Sequence, residues 1–142
     1  MPLKAEVLWW KTEGKKGIIF GALDPKSIAW KTAERIHDEG GEMVLTNTPV
    51  SIRMGQIDDL VIKTNSLLVP ADATSLTDLE NLIEKSISHF GSKIDFVLHS
   101  IGMSINVRKG KKYTDLNYEW YKKTLDVSAM SLHKVLQVAS EI

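Results

Sequence analysis

Residues 17–29, GIIFGALDPKSIA, decide the fold of this chain. The apolar run Ile18-Ile19-Phe20 predicts a buried strand, Gly21 ends it, and a helix signal opens at Ser27. Glycine allows a tight turn because it has no Cβ, and the first N–H groups of a helix have no intrahelical partner. This order of strand, glycine and helix start is what a phosphate-binding turn requires.

The glycine pattern itself is incomplete. The common G-x-G-x-x-G fingerprint would need glycines two and five residues after Gly21, where a leucine and a lysine stand. Ser27, or Asp24 ahead of Pro25, is equally well explained as a helix cap that follows a strand. Residues 17–29 alone therefore fit either a phosphate-binding turn or a helix cap that follows a strand.

Composition narrows the class of protein. The 142 residues, 43% hydrophobic and 25% charged, fit one globular domain with a sizeable core. Eighteen basic residues balance eighteen acidic ones, which gives no support to nucleic acid or an anionic membrane as a partner. Cysteine is absent, the four histidines are scattered singly, and we expect no metal site. No apolar run is long enough to span a membrane and no signal peptide is evident, so we expect a cytoplasmic protein.

The first residues of the chain show no clear periodicity in their hydrophobic pattern. We interpret residues 1–14 as an N-terminal arm before the first strand. Trp9 and Trp10 within it are better explained by packing on the domain or on a neighbouring subunit than by ligand binding.

Strand and helix signals then alternate along the chain. Ser75 to Asp78 has a capping-box pattern, and Gly91 stands where glycine ends a helix. The segment IDFVLH at 94–99 is apolar enough to be buried on both faces, as in a parallel sheet. The predicted elements after the first strand are a helix over 27–39, a strand over 42–46, a looser helix over 50–63, a strand over 66–69, a helix over 75–90, a strand over 94–99, a polar loop, and a long helix over 117–142.

These elements predict an α/β fold. Four strands joined by three right-handed crossovers give a Rossmann-like, doubly wound parallel sheet with strand order 3-2-1-4. Ligands in such sheets bind where the order reverses, beyond the carboxyl ends of the strands. Those ends carry Gly21, Asp72 and the segment His99-Ser100-Ile101-Gly102, so three signals converge on one crevice.

These same residues resemble the divergent short-chain dehydrogenase branch that includes bacterial enoyl-acyl-carrier-protein reductases. The resemblance extends from about residue 14 to the end, and rests on Gly21 spaced six residues from Ser27-Ile28-Ala29, the Asp72-Ala73 pair and HSIG at 99–102. It implies a cofactor-binding α/β fold and a homotetramer. It also implies reduction, usually with NADH, of the 2,3 double bond of an acyl chain carried on acyl carrier protein.

The resemblance also implies roles for particular residues. A carboxylate at Asp72 can accept from the adenine amino group, although on sequence alone a turn cap near Thr74 explains it as well. Backbone N–H groups at Gly21 and Ser27 can meet phosphate oxygens near the positive end of a helix. The implied contacts are Gly21, Ser27 and Ile28 with the pyrophosphate, Asp72 and Ala73 with adenine, Ser100, Ile101 and Gly102 with the nicotinamide ribose region, and Met103 and Ser104 with the acyl substrate.

The residues after the second strand bear on whether the cofactor is NADH or NADPH. Many NAD-binding folds place an acidic residue at the end of the second strand to hold the ribose diol. Here that position reads Thr46-Asn47-Thr48, and the nearest charge is Arg53. The resemblance predicts NADH, while Arg53 could favour a 2′-phosphate and so leaves NADPH possible. An exposed helix arginine is the other interpretation of Arg53.

The chain lacks the family's catalytic pair, a tyrosine followed seven positions later by a lysine. Tyr118 and Lys122 match the Tyr-x-x-x-Lys pattern of ordinary short-chain dehydrogenases, but they follow the fourth strand rather than the fifth, and we interpret them as helix surface. We therefore expect residues 1–142 to be a single partial NAD(P)-binding domain that lacks the C-terminal half of the fold and is inactive alone. A non-catalytic nucleotide-binding module or scaffold of the same fold is the alternative.

The loop after HSIG ends in a basic segment. Residues 108–112, RKGKK, would lie beside the substrate entrance, where they could attract acidic acyl carrier protein. A solvated loop explains the same residues equally well.

Overall fold

The computed structural model describes residues 11–140. The two tryptophans at positions 9 and 10, and the end of the predicted last helix, lie outside these residues. The elements in chain order are β1 (Lys16–Phe20), α1 (Ile28–Asp38), β2 (Glu42–Thr46), α2 (Pro49–Met54), α3 (Ile57–Thr64), β3 (Leu67–Leu68), α4 (Leu76–Phe90), β4 (Phe96–His99), α5 (Ile105–Arg108), a 3-10 turn (Tyr113–Asp115), α6 (Tyr118–Leu125), a π-helical turn (Asp126–Met130) and α7 (Ser131–Ala139).

The described strands form one parallel sheet in the order β3-β2-β1-β4, which confirms the predicted order. Ile18 of β1 is paired with Val44 on one side and Val97 on the other. Because β1 is central and covered on both faces, its apolar run is continuous rather than alternating. Ile18 and Ile19 are both fully buried.

The sheet separates two hydrophobic clusters. Ile18 and Phe20 point towards the cluster that includes Leu82 of α4 and Val135 of α7. Ile19 points to the opposite face, where α1 and α3 pack. Helices therefore cover both faces, and the carboxyl ends of the strands share one edge of the sheet.

The predicted helix over 50–63 is wrong, because two helices occupy this segment. Gly55 adopts an extended conformation that ends α2, and the backbone N–H of Gln56 donates to the carbonyl oxygen of Leu23 at 2.8 Å. A Cβ at Gly55 would lie 2.7 Å from that same carbonyl oxygen. The break therefore allows the chain to dock closely on the loop that follows β1.

The fourth strand also differs from the prediction. It covers Phe96–His99 only, and its residues are half-buried rather than buried on both faces. The cause is its place in the sheet, since β4 pairs with β1 and no other strand within residues 11–140 lies along its outer edge. The third strand is likewise shorter than predicted, at Leu67–Leu68.

The last predicted helix is interrupted by a π-helical turn at Asp126–Met130 between α6 and α7. The loop before it is not wholly irregular, since it contains α5 and the 3-10 turn. In the part of the chain that the structure describes, no helix combines the length and apolar character needed to cross a bilayer.

The capping box at the start of α4 is only half formed. Ser75 accepts from the backbone N–H of Asp78 at 3.3 Å, as predicted. The Asp78 carboxylate, however, accepts from the backbone N–H of Asp72 at 2.9 Å instead of closing back on Ser75. Helix α4 therefore helps to hold the backbone of Asp72 in the segment after β3.

Candidate functional site

A cavity of about 350 Å³ opens at the carboxyl edge of the sheet, where the strand order reverses. Its volume is within the range of small-molecule sites. The lining comes from the segments that follow all four strands, together with α2, α5 and the π-helical turn. The lining residues are Phe20, Gly21, Leu23, Asn47, Thr48, Val50, Ser51, Ala71, Asp72, Ala73, Thr74, Ser100, Ile101, Gly102, Met103, Arg108 and Val127.

Gly21 forms the innermost turn of this cavity. Its φ of +93° lies in the region that favours glycine, and a Cβ there would collide with the carbonyl oxygen of Ser100. The turns after β1 and β4 therefore lie in direct backbone contact. A glycine is required here for conformation and for space, as the sequence predicts.

The expected N–H donors of this turn are already engaged. Gly21 N–H donates to the carbonyl oxygen of Thr46 at 3.3 Å, and Ser27 N–H donates to that of Asp24 at 3.0 Å. The Ser27 hydroxyl accepts from Trp30 N–H at 3.4 Å and so caps α1. Pyrophosphate binding by these groups thus stays a prediction that rests on the family resemblance.

Two of the predicted site residues lie outside the cavity lining. Neither Ser27 nor Ile28 lines it, and the Ile28 side chain is 75% exposed. Both instead border a separate groove along α1 that Thr12 and Arg35 also line.

Asp72 lies four residues after the end of β3, and it contributes to both the turn and the cavity. Its Oδ1 accepts from the N–H of Thr74 at 2.8 Å and from the Thr74 hydroxyl at 2.7 Å. Burial opposes ionisation, but the Thr74 hydrogen bonds and the charges of Lys123 and Lys134 outweigh it and lower the pKa of Asp72. The predicted turn cap is therefore present, and the ionised carboxylate also faces the cavity.

The segment after β4 supplies the opposite wall. Ser100, Ile101, Gly102 and Met103 all line the cavity, and a Cβ at Gly102 would meet no protein atom within 4 Å. The Met103 N–H donates to the Ser128 hydroxyl at 3.0 Å, and that hydroxyl donates to the Met103 carbonyl at 3.2 Å. The π-helical turn thus fixes the Met103 backbone.

Ser104 lies just outside the cavity lining. Its hydroxyl accepts from Val107 N–H at 3.3 Å and caps α5. The predicted substrate contact of Ser104 is therefore not part of the cavity that the other residues form.

His99 connects β4 to α7. Its Nε2 lies 2.7 Å from the hydroxyl oxygen of Ser131, and that hydroxyl donates to the Val127 carbonyl at 2.7 Å. Because the serine proton is committed to Val127, the imidazole must donate through Nε2. Burial lowers the pKa of His99, which favours this neutral form.

The residues after β2 form a polar wall of the cavity, although the sequence-based expectation for this position concerned only charge. Thr48 caps α2 by accepting from Ser51 N–H at 3.2 Å, and the Asn47 side chain donates to the Ala22 carbonyl at 2.9 Å. Arg53, the candidate for a 2′-phosphate, is exposed and does not line the cavity. The hydroxyls after the second strand were a usable signal, because this position faces the ligand in such sheets.

Tyr118 and Lys122 lie on the helix surface, as interpreted. The Tyr118 side chain is 79% exposed, and Lys122 Nζ lies 2.8 Å from a carboxylate oxygen of Glu119. Neither residue lines the cavity. Within residues 11–140, no three His, Asp or Glu side chains are grouped as a metal site.

A parallel sheet of this order, with its cavity at the reversal and a glycine turn after β1, defines the class of Rossmann-like α/β proteins. A family model described as enoyl-(acyl carrier protein) reductase matches residues 21–142. The chain therefore belongs to the enoyl-(acyl carrier protein) reductase family.

Individual relatives agree with this assignment. The chain is 64% identical, with a TM-score of 0.89, to the crystal structure of a FabI–NADH complex from Alistipes finegoldii, covering 92% of this chain and 46% of that one. It is 27% identical over 91% of its length to enoyl-[acyl-carrier-protein] reductase [NADH] 2 of Rhizobium meliloti, covering 48% of that protein. It is 30% identical to the NADH-dependent enzyme FabI of Aquifex aeolicus, covering 84% of this chain and 44% of that protein. The chain thus spans about half the length of the curated relatives it matches.

Proposed function

We propose that this chain is the cofactor-binding portion of an enoyl-acyl-carrier-protein reductase, which transfers hydride from NADH to the 2,3 double bond of an enoyl thioester. The observation that carries the proposal is the cavity at the strand reversal, formed in a chain 64% identical to a FabI described as a complex with NADH. We further propose that the chain has no reductase activity alone, because its sequence contains no tyrosine with a lysine seven positions later.

The lining residues fit such a cofactor. Asp72 presents an ionised carboxylate whose Oδ2 makes no hydrogen bond with the described residues, so it is available to the adenine amino group. Ala73 beside it leaves room for a flat ring. Gly102 offers an open wall where a side chain would otherwise project into the cavity. We assign Asp72 and Ala73 to adenine, and Ser100, Ile101 and Gly102 to the nicotinamide ribose region.

The pyrophosphate is assigned to the turn after β1. Gly21 lines the cavity there, while Ser27 and Ile28 begin α1 behind it. The two helix residues would contribute through the positive end of the helix rather than through side chains in the cavity.

The chemistry divides between the cofactor and the protein. When bound, NADH supplies the hydride for the β-carbon. The residues of this chain hold and orient the cofactor, and the rigid contact between Gly21 and Ser100 fixes the two walls relative to each other. The reaction also requires stabilisation of the developing enolate oxygen and a proton for the α-carbon. In the family that this chain resembles, a tyrosine hydroxyl meets the enolate and a lysine seven positions later holds the cofactor ribose, and residues 1–142 contain no such pair.

The substrate would approach along the segment after β4. Met103, held by Ser128, is the described residue best placed to contact the acyl chain, and Ser104 follows it at the start of α5. The basic residues 108–112 lie next along the chain, and we propose that they attract acidic acyl carrier protein. A homotetramer is the proposed assembly of the complete enzyme, by family resemblance.

NADH titration of the 142-residue chain, followed by calorimetry, tests the cofactor assignment. We expect saturable binding that Asp72→Asn weakens and Asp58→Asn, an exposed change on α3, leaves unaltered. Absence of NADH binding by the unaltered chain would overturn the proposed function.

A second experiment separates the reductase from a nucleotide-binding module. The chain is fused to the downstream half of the Aquifex aeolicus relative and supplied with NADH and an enoyl thioester. Substrate-dependent NADH oxidation supports the reductase assignment. A folded, cofactor-binding fusion without this activity would favour the module.

A further inference from the structure

Arg108 is the cationic side chain of the cavity. Among the lining residues within 11–140, Asp72 and Arg108 are the two that carry a charged group. Arg108 is the last residue of α5, so the sequence places it nine residues after β4 ends at His99. In the sequence, Arg108 is recognisable only as part of the basic segment 108–112. In the structure, Arg108 lines the cavity.

The Arg108 guanidinium has no partner among the described residues, since no hydrogen bond or ion pair joins it to any of them. Among the neighbouring cations, the side chains of Lys109 and Lys112 likewise have no partner within residues 11–140, whereas Lys111 and Lys123 are paired. Lys111 lies 3.7 Å from a carboxylate oxygen of Asp115, and Lys123 lies 3.9 Å from one of Asp126. Arg108 therefore keeps its five N–H donors available to a ligand.

The short helix α5, which carries Arg108, is held in place by a buried side chain. Asn106 is 3% exposed and forms a reciprocal pair with the backbone of Asn117. Its side-chain amide donates to the Asn117 carbonyl at 3.1 Å, and its carbonyl oxygen accepts from the Asn117 N–H at 3.0 Å. Together with the Ser104 cap, this pair fixes the backbone from which Arg108 extends.

A cation in the cavity would favour the binding of a dinucleotide. The N–H groups of Gly21 and Ser27, the expected phosphate donors, are engaged within the protein. Asp72 adds a negative charge to the same cavity, which disfavours a second anion unless a positive group offsets it. A guanidinium matches phosphate oxygens bidentately and provides that charge.

We infer that Arg108 binds the pyrophosphate of the bound dinucleotide and adds a full positive charge to the partial charge at the start of α1. The inference rests on the proposed function, since it assigns a residue to the same cofactor site. Arg108 shares the cavity with Gly21 and Leu23 of that turn, whereas Arg53 does not line it. The pyrophosphate is common to NADH and NADPH, so Arg108 acts on both cofactors alike.

The test compares Arg108→Gln with the unaltered chain by calorimetric titration of NADH, NADPH, ADP and adenosine. We expect dissociation constants for NADH, NADPH and ADP to rise about tenfold, the effect of losing a charge-assisted pair, with adenosine unaffected. Arg108→Lys should retain part of the affinity, because it keeps the charge and loses the bidentate geometry. Lys85→Gln, an exposed change on α4 away from the cavity lining, is the matched control.

The outcomes separate this inference from the proposed function. Unchanged affinity of Arg108→Gln for NADH and ADP overturns the inference while leaving NADH binding intact. A loss confined to NADPH also overturns it, because that result would place Arg108 at a 2′-phosphate. An equal loss for adenosine shows a structural effect and overturns it too. Failure of the unaltered chain to bind NADH overturns both proposals together.

Discussion

The α-carbon of Gly21 faces the carbonyl oxygen of Ser100 so closely that any side chain at position 21 would overlap that oxygen. One residue follows β1 and the other follows β4, which are neighbours in the sheet. The contact therefore joins the two strand ends where the sheet order reverses. Both residues line the cavity between them.

Substituting Gly21 tests this contact. Gly21→Ala combines a φ of +93° with the collision at Ser100, and we expect it to lower the free energy of unfolding by about 3 kcal/mol or more. Gly91→Ala is the matched control, because Gly91 also has a positive φ but a Cβ there would meet nothing within 4 Å. It should cost roughly 1–2 kcal/mol from conformation alone. Urea denaturation of both variants measures the difference, and equal losses would show that the Ser100 contact is unimportant.

Substitutions of Asp72 distinguish its structural role in the turn from its proposed role in cofactor binding. Asp72→Asn keeps an oxygen for the Thr74 hydrogen bonds, so we expect stability close to that of the original chain. Its amide nitrogen replaces the second carboxylate oxygen and cannot accept from adenine, so the NADH dissociation constant should rise about tenfold. Asp72→Ala should additionally lose about 1–2 kcal/mol of stability, since Thr74 loses its acceptor. Undiminished NADH affinity in Asp72→Asn would remove the adenine assignment.

The lowered pKa of His99 predicts that the stability of the chain depends on pH. The pKa of His99 is lowered in the folded chain, so the unfolded chain binds more protons as pH falls through its ordinary value of 6.5. The stabilisation is complete above pH 6.5 and is lost as pH falls below it, towards the folded pKa. Urea denaturation from about pH 7.5 to pH 5 should show this slope in the original chain.

Two histidine variants check the origin of that slope. His99→Gln removes the titrating group and should flatten the profile in this window. His133→Gln replaces an exposed histidine on α7 and should leave the slope unchanged. A flat profile in the original chain, or a slope that follows His133, would contradict the role assigned to the contact between His99 and Ser131.

Glu34 of α1 forms an ion pair with Lys63 of α3. The hydrogen bond from Lys63, together with those from Lys31 and Trp30, lowers the pKa of Glu34 to about 2. The stabilisation is therefore present above the ordinary value of 4.5 and is lost as pH falls from there towards 2. Glu34→Gln should lower the melting temperature most at neutral pH, and the gap should narrow between about pH 4.5 and pH 3. Glu80→Gln, an exposed change on α4, should show no such gap.

The order of the strands could be predicted because its signals are local. Ile18 and Ile19 are fully buried in the central strand, and Gly91 takes the left-handed conformation that ends α4. Right-handed crossovers then leave few ways to arrange four parallel strands. The place of the cavity follows from the same order, which is why Gly21, Asp72 and Ser100 were found from sequence.

Other features depend on contacts distant in sequence. The break at Gly55 exists because Gln56 bonds the Leu23 carbonyl, and no local pattern encodes that partner. Arg108 is similar, since its position in the cavity depends on the pairing of Asn106 with Asn117. Spacing from a strand end identifies residues in the first turn after it, but not residues brought back by a folded loop.

The π-helical turn at Asp126–Met130 allows one continuous helical path to make contacts with two different parts of the fold. Ser128 within it holds the backbone of Met103, while the Ser131 hydroxyl just beyond it accepts a hydrogen bond from His99 Nε2. A π-helical turn accommodates one residue more than a regular helix would, and one residue corresponds to about 100° of rotation. Deleting a single residue here would restore a regular helix, yet would turn α7 away from either the loop or the sheet. The irregularity thus lets one helical path contact the loop after β4 through Ser128 and the end of β4 through Ser131.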